Sequence, residues 1–228
     1  MKRYARNMEA ITADEMKILE KSKVCVVGCG GLGGYIIELL ARIGVGSITA
    51  IDGDVFDETN LNRQLFSHSK NIGKSKSEEA KKRIELVNPL INIESVNVMI
   101  NESNSLFLLK GHDIIVDALD NIKTRKLIQS SAAKLNIPMV HGAIGGFYGQ
   151  VTTIFPNDNT LDYLYPNDIK LDRGIEKRLG NPSFTPALIA SIEVAEVIKI
   201  LLRRGDLLRG KVLFIDLLEN SFDILEFE

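Results

Sequence analysis

The sequence predicts an α/β protein whose mostly parallel sheet carries helices on both faces. Short apolar strands alternate with helical segments between residues 23 and 141, and this alternation is typical of a parallel sheet. The last apolar stretch, KVLFIDLLENSFDILEF, instead predicts a closing antiparallel hairpin that turns near residues 219–221. We therefore expect a parallel sheet that ends in antiparallel strands on its C-terminal side.

The individual elements are predicted from apolar periodicity and from the turn residues between them. Strands are predicted at 23–27, 47–51, 92–98, 113–117 and 138–141, and another ends near Phe155. Helices are predicted at 31–43, 75–87, 103–109 and 124–135, with a largely buried helix at 187–202. The polar stretch 156–186 has little periodicity and is predicted to be a long loop.

Length and charge favour a single soluble domain. The 228 residues suffice for one α/β domain, residues 1–228, with a short helical arm over 1–22. The net charge of -2 gives no general attraction to nucleic acid or to an anionic membrane, although a local basic patch remains compatible with it. The chain has no apolar run of bilayer length, and its first residues lack the apolar core of a signal peptide. We expect a cytoplasmic protein with neither a nucleic-acid nor a membrane partner.

The two cysteines, Cys25 and Cys29, lie in the first strand and in the turn that follows it. A single C-x-x-x-C pair has neither the spacing nor the second pair of a zinc site. We interpret both as small packing residues and expect no structural disulfide.

The stretch VCVVGCGGLGG, residues 24–34, predicts a Rossmann-like phosphate turn. Gly28, Gly30 and Gly33 have the G-x-G-x-x-G spacing that lets a backbone wrap a diphosphate at a helix N-terminus. The motif alone fits a dinucleotide, ATP or merely close packing of helix on strand. Asp52 ends the second predicted strand, the usual place of an acid that binds ribose hydroxyls, and both nucleotides would satisfy it.

Polar and cationic residues after Asp52 favour ATP over a dinucleotide. The segment DGDVFDETNLNRQLF places Asn60, Arg63 and Gln64 just beyond the acid, and GKSK adds Lys74 and Lys76. Arg and Lys near the glycine turn would lie beside the β- and γ-phosphates. Taken singly, each of these residues also fits a solvated helix end.

The third polar group is DIIVDALDN, at the carboxyl end of a buried strand. Asp120 is the candidate Mg²⁺ ligand, since Mg²⁺ prefers one or two carboxylates plus phosphate oxygens, and Asp117 is interpreted as a structural acid. Asp120 and Asn121 could also serve only to cap the next helix. His141 ends a predicted strand, where it is either a catalytic group or a residue that forms hydrogen bonds or lines the site.

Together these motifs resemble the ThiF/MoeB/HesA family, the bacterial relatives of the adenylation domain of ubiquitin-activating enzymes. The resemblance covers nearly the whole chain, through RYARN, GCGGLGG, DGDVFDETNLNRQ, GKSK, DALDN, HGAIGGFYGQV and NPSFTPALIASIEVAEVIK. It implies an ATP- and Mg²⁺-dependent adenylyltransferase. Its partner would be a ubiquitin-like sulfur carrier protein of the ThiS or MoaD type, whose C-terminal Gly-Gly carboxylate becomes an acyl-adenylate as pyrophosphate is released.

The resemblance also implies roles for individual residues. The implied nucleotide-binding set is Gly28, Gly30, Gly31, Gly33, Asp52, Asp54, Asn60, Arg63, Gln64 and Lys76, with Gly31 in the backbone cradle and Asp52 on the ribose. Asp120 would hold Mg²⁺, and Arg63, Lys76 and Asp120 would serve catalysis together with Arg6. Arg6 matches an arginine that reaches into the partner's active site in homodimeric relatives, which implies a homodimer.

The sequence departs from the family at its cysteines. Many relatives bind structural zinc through two C-x-x-C pairs, but Thr160 and Tyr163 stand where the first pair would be, so no structural zinc is expected. No cysteine follows Cys29, so a covalent link to the carrier through a loop cysteine is not expected either. We expect the protein to stop at the acyl-adenylate, with a separate sulfurtransferase supplying sulfur.

Three other functions remain open on sequence alone. The same adenylation could act on a small-molecule acid, a peptide or a modified RNA base. The chain could bind nucleotide without turnover, although it retains the cations that an inactive relative is expected to lose. A dehydrogenase is the remaining alternative, and tight NADH binding without affinity for ATP would favour it.

Overall fold

The computed structural model describes residues 2–166 and 179–227. Its strands are β1 (Lys23–Val27), β2 (Ser47–Ile51), β3 (Asn92–Val96), β4 (Ile114–Asp117), β5 (Met139–Gly145), β6 (Tyr148–Ile154), β7 (Lys211–Asp216) and β8 (Ser221–Glu226). They form one sheet in the order β3-β2-β1-β4-β5-β6-β7-β8. The first five strands of this order are parallel and the last three are antiparallel. The predicted fold class is confirmed.

The helices cover both faces of the sheet, as predicted. They are α1 (Ala13–Lys21), α2 (Gly31–Ile43), α3 (Lys76–Val87), α4 (Ser105–Leu109), α5 (Ile122–Leu135), α6 (Thr160–Leu164) and α7 (Phe184–Leu202). One core cluster joins the sheet to α2, α3 and α7, and a second joins its other face to α4, α5 and α6. No helix in the described part of the chain is both long and apolar enough to cross a bilayer.

Strand β1 shows why its apolar run folds at the centre of the sheet. Successive side chains of a strand point to opposite faces, so Val24 and Val26 enter one core cluster while Cys25 and Val27 enter the other. A strand covered on both faces reads as continuous apolar sequence rather than as an alternating pattern. The packing role predicted for Cys25 agrees with its complete burial.

The region after β5 differs in detail from the prediction. The strand predicted to end at residue 141 continues to Gly145, because the glycine-rich stretch pairs with β6 from Met139↔Ile154 to Gly145↔Tyr148. The predicted loop 156–186 contains α6, and α7 begins at Phe184. Pro186 lies in the first turn of α7, where proline is tolerated because its missing N–H needs no helical partner. Residues 167–178 of the predicted loop lie outside the described residues.

Strands β1 and β4 are adjacent although a long stretch of chain separates them, and the strand order reverses between them. Helices that follow β1 and β4 leave in opposite directions at this point, which opens a crevice at the carboxyl ends of the strands. Open α/β sheets bind ligands in such crevices. The topology therefore places the glycine turn after β1 and the acidic turn after β4 on either side of one cleft.

Candidate active site

A cavity of about 330 Å³ opens at this strand-order reversal. It is lined by most of the residues predicted from the sequence: Gly28, Gly30, Gly31, Asp52, Asp54, Arg63, Gln64, Lys76 and Asp120. These residues come from five separate stretches of the chain, which the fold brings to one edge of the sheet. The predicted site residues Gly33, Asn60 and Arg6 are not among the residues that line it.

The glycine turn is shaped by close contacts between backbone atoms. Gly28 has φ +97°, and a Cβ there would lie 2.6 Å from the carbonyl oxygen of Ala118. A Cβ on Gly33 would overlap the carbonyl oxygen of Gly28, so Gly33 allows α2 to pack on the turn. Gly30 provides no side chain to cap α2, which leaves its first backbone N–H groups available to an anion in the cavity.

Asp52 ties the end of β2 to this turn. Its Oδ2 accepts a hydrogen bond from the backbone N–H of Cys29 at 2.7 Å, and its Oδ1 accepts one from Asp54 at 2.8 Å. Burial raises the pKa of Asp52, and these two backbone donors oppose that rise. Each carboxylate oxygen has a second acceptor site, so Asp52 can also accept from a ribose hydroxyl.

Lys76 brings an ammonium group to the cavity wall from the first turn of α3. Its Nζ lies 3.2 Å from Oδ2 of Asp54, and its backbone N–H donates to the Asp54 carbonyl. The Lys76 side chain is 10% exposed whereas that of Asp54 is 58% exposed. An ion pair with so exposed a partner is weak, so a phosphate can replace the carboxylate at low cost.

Arg63 and Gln64 line the cavity next to Gly31 and Gly30, on the segment that follows the 3₁₀ turn Glu58–Asn60. The Arg63 guanidinium donates through Nη1 to the Thr59 carbonyl at 3.0 Å and to Oδ1 of Asn62 at 2.9 Å. Neither acceptor is charged, so these contacts orient the guanidinium without neutralising it. Gln64 is buried, and its Oε1 has no hydrogen-bond partner among the described residues.

Besides Gly33, the predicted residues Asn60 and Arg6 are not part of the cavity lining. Asn60 is buried, and its Oδ1 accepts a hydrogen bond from the backbone N–H of Asp57 at 3.0 Å. Together with the Asp57 side chain, this contact forms a capping box at the 3₁₀ turn that precedes Arg63. Arg6 is exposed on the N-terminal segment.

Asp120 is exposed where the β4–α5 turn meets the cavity. The capping role is filled by Asn121, whose Oδ1 accepts from the Thr124 N–H at 2.9 Å. In residues 2–166 and 179–227, no group of three His, Cys, Asp or Glu side chains could hold a metal ion by itself. Mg²⁺ that arrives with a nucleotide needs only one or two carboxylates, so the Asp120 side chain fits this ion.

His141 is not among the cavity-lining residues and is completely buried in β5. One ring nitrogen, Nδ1, lies 2.8 Å from Oδ2 of Asp117, and the other lies 3.1 Å from the Tyr165 hydroxyl. Burial lowers the pKa of His141, although the Asp117 hydrogen bond opposes this shift. Of the two interpretations of His141, the structure favours the hydrogen-bonding one.

Sequence reasoning missed part of the cavity lining. The segment Val98, Met99 and Ile100, which follows β3, forms an apolar wall beside Asp52. Asn181 and Arg125 also line the cavity, from the segment before α7 and from α5. The signal for the first group was available, because the carboxyl ends of neighbouring parallel strands meet at one edge. No local pattern marks Asn181.

Comparisons with known proteins place this site in context. A model described as the ThiF family matches residues 4–228. The SAMP-activating enzyme E1 of Haloferax volcanii is 33% identical over 228 residues, covering 99% of this chain and 84% of that protein. The sulfur carrier protein adenylyltransferase of Thermus thermophilus is 34% identical over 230 residues, covering 96% of this chain and 84% of that protein. The family resemblance predicted from the motifs is confirmed.

The fold is also similar to solved structures. A crystal structure of E. coli MccB with ATP superposes with a TM-score of 0.81 and 21% sequence identity. The match covers 99% of this chain and 70% of that one. At this identity the likeness concerns the fold, which agrees with the sheet order described above.

Proposed function

This chain is an adenylyltransferase of the ThiF family, and we propose that it activates the C-terminal carboxylate of a ubiquitin-like sulfur carrier protein ending in Gly-Gly. The observation that carries the proposal is the arrangement of Arg63, Lys76 and Asp120 around one glycine turn. The turn would bind phosphate through backbone N–H groups, and two cations, Arg63 and Lys76, line the same cavity.

The reaction requires positive charge near the phosphates and correct positioning of the two reactants, and it does not require a general base. A C-terminal carboxylate is ionised at neutral pH and can attack the α-phosphorus of ATP directly. One carboxylate oxygen forms a bond to the α-phosphorus, and the bond from that phosphorus to the bridging oxygen of pyrophosphate breaks. Arg63 and Lys76 stabilise the charge that develops on the departing pyrophosphate and reduce repulsion between the two anions.

The nucleotide would lie across the strand ends in a defined direction. Asp52 binds the ribose, the glycine turn binds the phosphates, and the apolar wall of Val98, Met99 and Ile100 packs beside the base. Asp120 would hold Mg²⁺ against the phosphate oxygens, where the ion would supply further positive charge. Gln64 lies beside the glycine turn, where its Nε2 would be 3.5 Å from a Cβ on Gly30 and can donate to a phosphate oxygen.

The acyl-adenylate is the expected product, with no thioester on this chain. Both cysteines are buried, and burial raises the pKa of Cys25 and of Cys29 well above the ordinary thiol value. A thiol must be ionised and accessible to act as a nucleophile. The sulfur would therefore come from a separate sulfurtransferase.

We propose a homodimer in which Arg6 completes the partner's site. In support, Arg6 is exposed and is not among the residues that line the cavity of its own chain. Arg6→Ala and Asp120→Ala proteins should each be inactive, whereas their mixture should recover activity, since one site of the mixed dimer has both residues intact. A monomeric mass at assay concentration, or no recovery on mixing, would contradict this arrangement.

The deciding experiment is ATP–pyrophosphate exchange with purified sulfur carrier proteins that end in Gly-Gly. Exchange should appear with a carrier present, vanish in Asp120→Ala and vanish when the carrier lacks its last glycine. If only a small acid, a peptide or a modified RNA base supports exchange, that molecule is the acceptor instead of a sulfur carrier protein. Nucleotide binding with no exchange for any acceptor would reject the proposal.

A further inference from the structure

A cluster of buried and half-buried polar side chains extends from the cavity-lining residue Arg125 into the protein, and no direct role in the proposed reaction has been assigned to it. We call it the buried cluster: Asp117, Arg125, His141, Gln150 and Tyr165. Asp117 and His141 are completely buried, on the sheet face that packs against α5. Burial of such groups has a high free-energy cost unless their hydrogen bonds are satisfied, so a cluster of five polar side chains indicates a specific role.

The hydrogen bonds that join the members of the buried cluster to one another agree with the following placement of protons. The Tyr165 hydroxyl accepts from Nη1 of Arg125 at 3.0 Å and from Nε2 of Gln150 at 2.8 Å. Its own proton therefore points to Nε2 of His141, 3.1 Å away, and that nitrogen is the acceptor. The remaining ring proton is on Nδ1, which donates to Asp117 at 2.8 Å. The imidazole is neutral in this arrangement.

The buried cluster extends to the peptide group that precedes Asp120. Asp117 Oδ1 accepts from the backbone N–H of Leu119 at 3.1 Å. The carbonyl of Leu119 accepts two hydrogen bonds from Arg125, from Nε at 3.1 Å and Nη2 at 2.6 Å. On the other side of Asp120, the Asn121 side chain caps α5. The backbone is thus held on both sides of Asp120 while its carboxylate stays exposed to the cavity.

We propose that Tyr165 and His141 are positioning residues that aim the Asp120 carboxylate at the metal–phosphate end of the cavity. The proposal rests on the proposed function in one respect, namely that Asp120 binds Mg²⁺ together with the nucleotide. Tyr165 fixes Arg125, and His141 fixes Asp117. Asp117 holds the backbone N–H of Leu119, and Arg125 holds its carbonyl oxygen, which belongs to the peptide group that leads into Asp120. Loss of such an outer contact typically weakens metal affinity by about 10–100-fold.

Removal of the Tyr165 hydroxyl takes a hydrogen-bond partner from Arg125, Gln150 and His141. Tyr165→Phe keeps the ring, which makes an edge-on contact with His141 at 5.8 Å between centroids and lies 5.6 Å from the Arg125 guanidinium. A matched control is Tyr163→Phe on α6, because Tyr163 is exposed and its ring stacks on Phe227. Both variants lose one phenolic oxygen, and only the first removes it from the buried cluster.

The test measures binding of α,β-methylene ATP by calorimetry over a range of Mg²⁺ concentrations. Tyr165→Phe should require about tenfold more Mg²⁺ for half-maximal tightening, while its affinity without Mg²⁺ stays that of the unmodified protein. Tyr163→Phe should match the unmodified protein throughout. Equal Mg²⁺ dependence in the two variants would overturn the inference.

A second measurement needs no variant. The ¹⁵N spectrum of His141 at pH 7 should show a protonated Nδ1 and an unprotonated Nε2, and a protonated Nε2 would overturn the inference. The proposed function can fail separately. Mg²⁺-dependent nucleotide binding without pyrophosphate exchange for any acceptor would reject that function, yet the two tyrosine variants would still decide the role of Tyr165. Nucleotide binding that ignores Mg²⁺ in the unmodified protein would overturn the inference even if exchange occurs.

Discussion

The cavity wall and the buried cluster both contact the β4–α5 turn, and their charged side chains differ in the partners that they have. In the cavity, Arg63 donates to neutral acceptors, Lys76 meets a well-exposed carboxylate and Asp120 faces the opening. In the buried cluster, Asp117 and His141 bond to each other and to further partners. Charged groups that line the ligand cavity have neutral or exposed partners. Charged groups in the buried cluster have hydrogen bonds to other protein groups.

The strongest test of the cavity side is Lys76→Ala. We expect pyrophosphate exchange to fall by about 10²–10³-fold, because a cation beside the departing phosphates is lost. Lys74→Ala is the matched control, since Lys74 is exposed two residues earlier and is not among the cavity-lining residues. Comparable exchange rates in the two variants would show that the ammonium of Lys76 does not act on the phosphates.

Gly33→Ala tests whether the cavity depends on the close contact of α2 with the glycine turn. An added Cβ would overlap the carbonyl oxygen of Gly28, so we expect the free energy of unfolding to fall by about 3 kcal/mol. In Gly34→Ala the Cβ would meet its nearest neighbour at 3.5 Å, an ordinary contact, and the helix gains a better helix former. Urea unfolding of both variants measures the difference, and equal midpoints would contradict this account.

Glu193 on α7 differs from the buried cluster, because it is a buried carboxyl group that lacks hydrogen-bond partners among the described residues. The variant Glu193→Gln tests what this costs in stability. Both of its carboxylate oxygens are buried without a partner among the described residues, and burial raises its pKa well above the ordinary value of 4.5. Above pH 4.5 the unfolded chain releases this proton while the folded protein keeps it, so stability falls as pH rises towards the raised pKa. Glu193→Gln has no ionisable group at this position, so its stability does not decrease with pH for this reason.

The stability advantage of Glu193→Gln should therefore grow above pH 4.5 by up to about 1.4 kcal/mol per pH unit. Denaturant unfolding between pH 4 and pH 8 measures it. Glu196, one turn later, is the contrast, because its Oε2 accepts from Thr153 at 2.6 Å and from the Leu208 N–H at 2.9 Å. Glu196→Gln should lower stability. A Glu193→Gln advantage that is constant with pH would show that the buried carboxyl does not retain its proton.

The smallest effect is expected for Asp54→Asn. The Asp54 side chain is 58% exposed, so loss of its ion pair with Lys76 should change stability by less than about 1 kcal/mol. Exchange should fall far less than in Lys76→Ala, because the ammonium remains in the cavity. A loss as large as that of Lys76→Ala would instead assign Asp54 a direct contact with the ligand.

The sequence predicted the sheet and most of the cavity because both follow from local patterns. The glycine spacing, the acid after β2 and the acid after β4 each belong to a short segment at the end of a strand. The buried cluster has no such pattern, since Gln150 and Tyr165 belong to β6 and to the residue after α6. Glu193 and Glu196 both lie in the mostly apolar helix α7, and sequence alone cannot tell which of the two carboxyl groups has a hydrogen-bond partner. Asn60 lies away from the cavity because of a local contact, the capping box that it forms with Asp57 three residues earlier.

The central position of β1 determines how the phosphate turn behaves between catalytic cycles. The strand pairs with β2 on one side and β4 on the other, and Val24, Cys25 and Val26 are completely buried. Amide protons at such a position exchange with solvent only when the whole domain opens. The turn is consequently rigid before any nucleotide arrives, and the conformational entropy of shaping it is lost once, when the chain folds, rather than at each turnover.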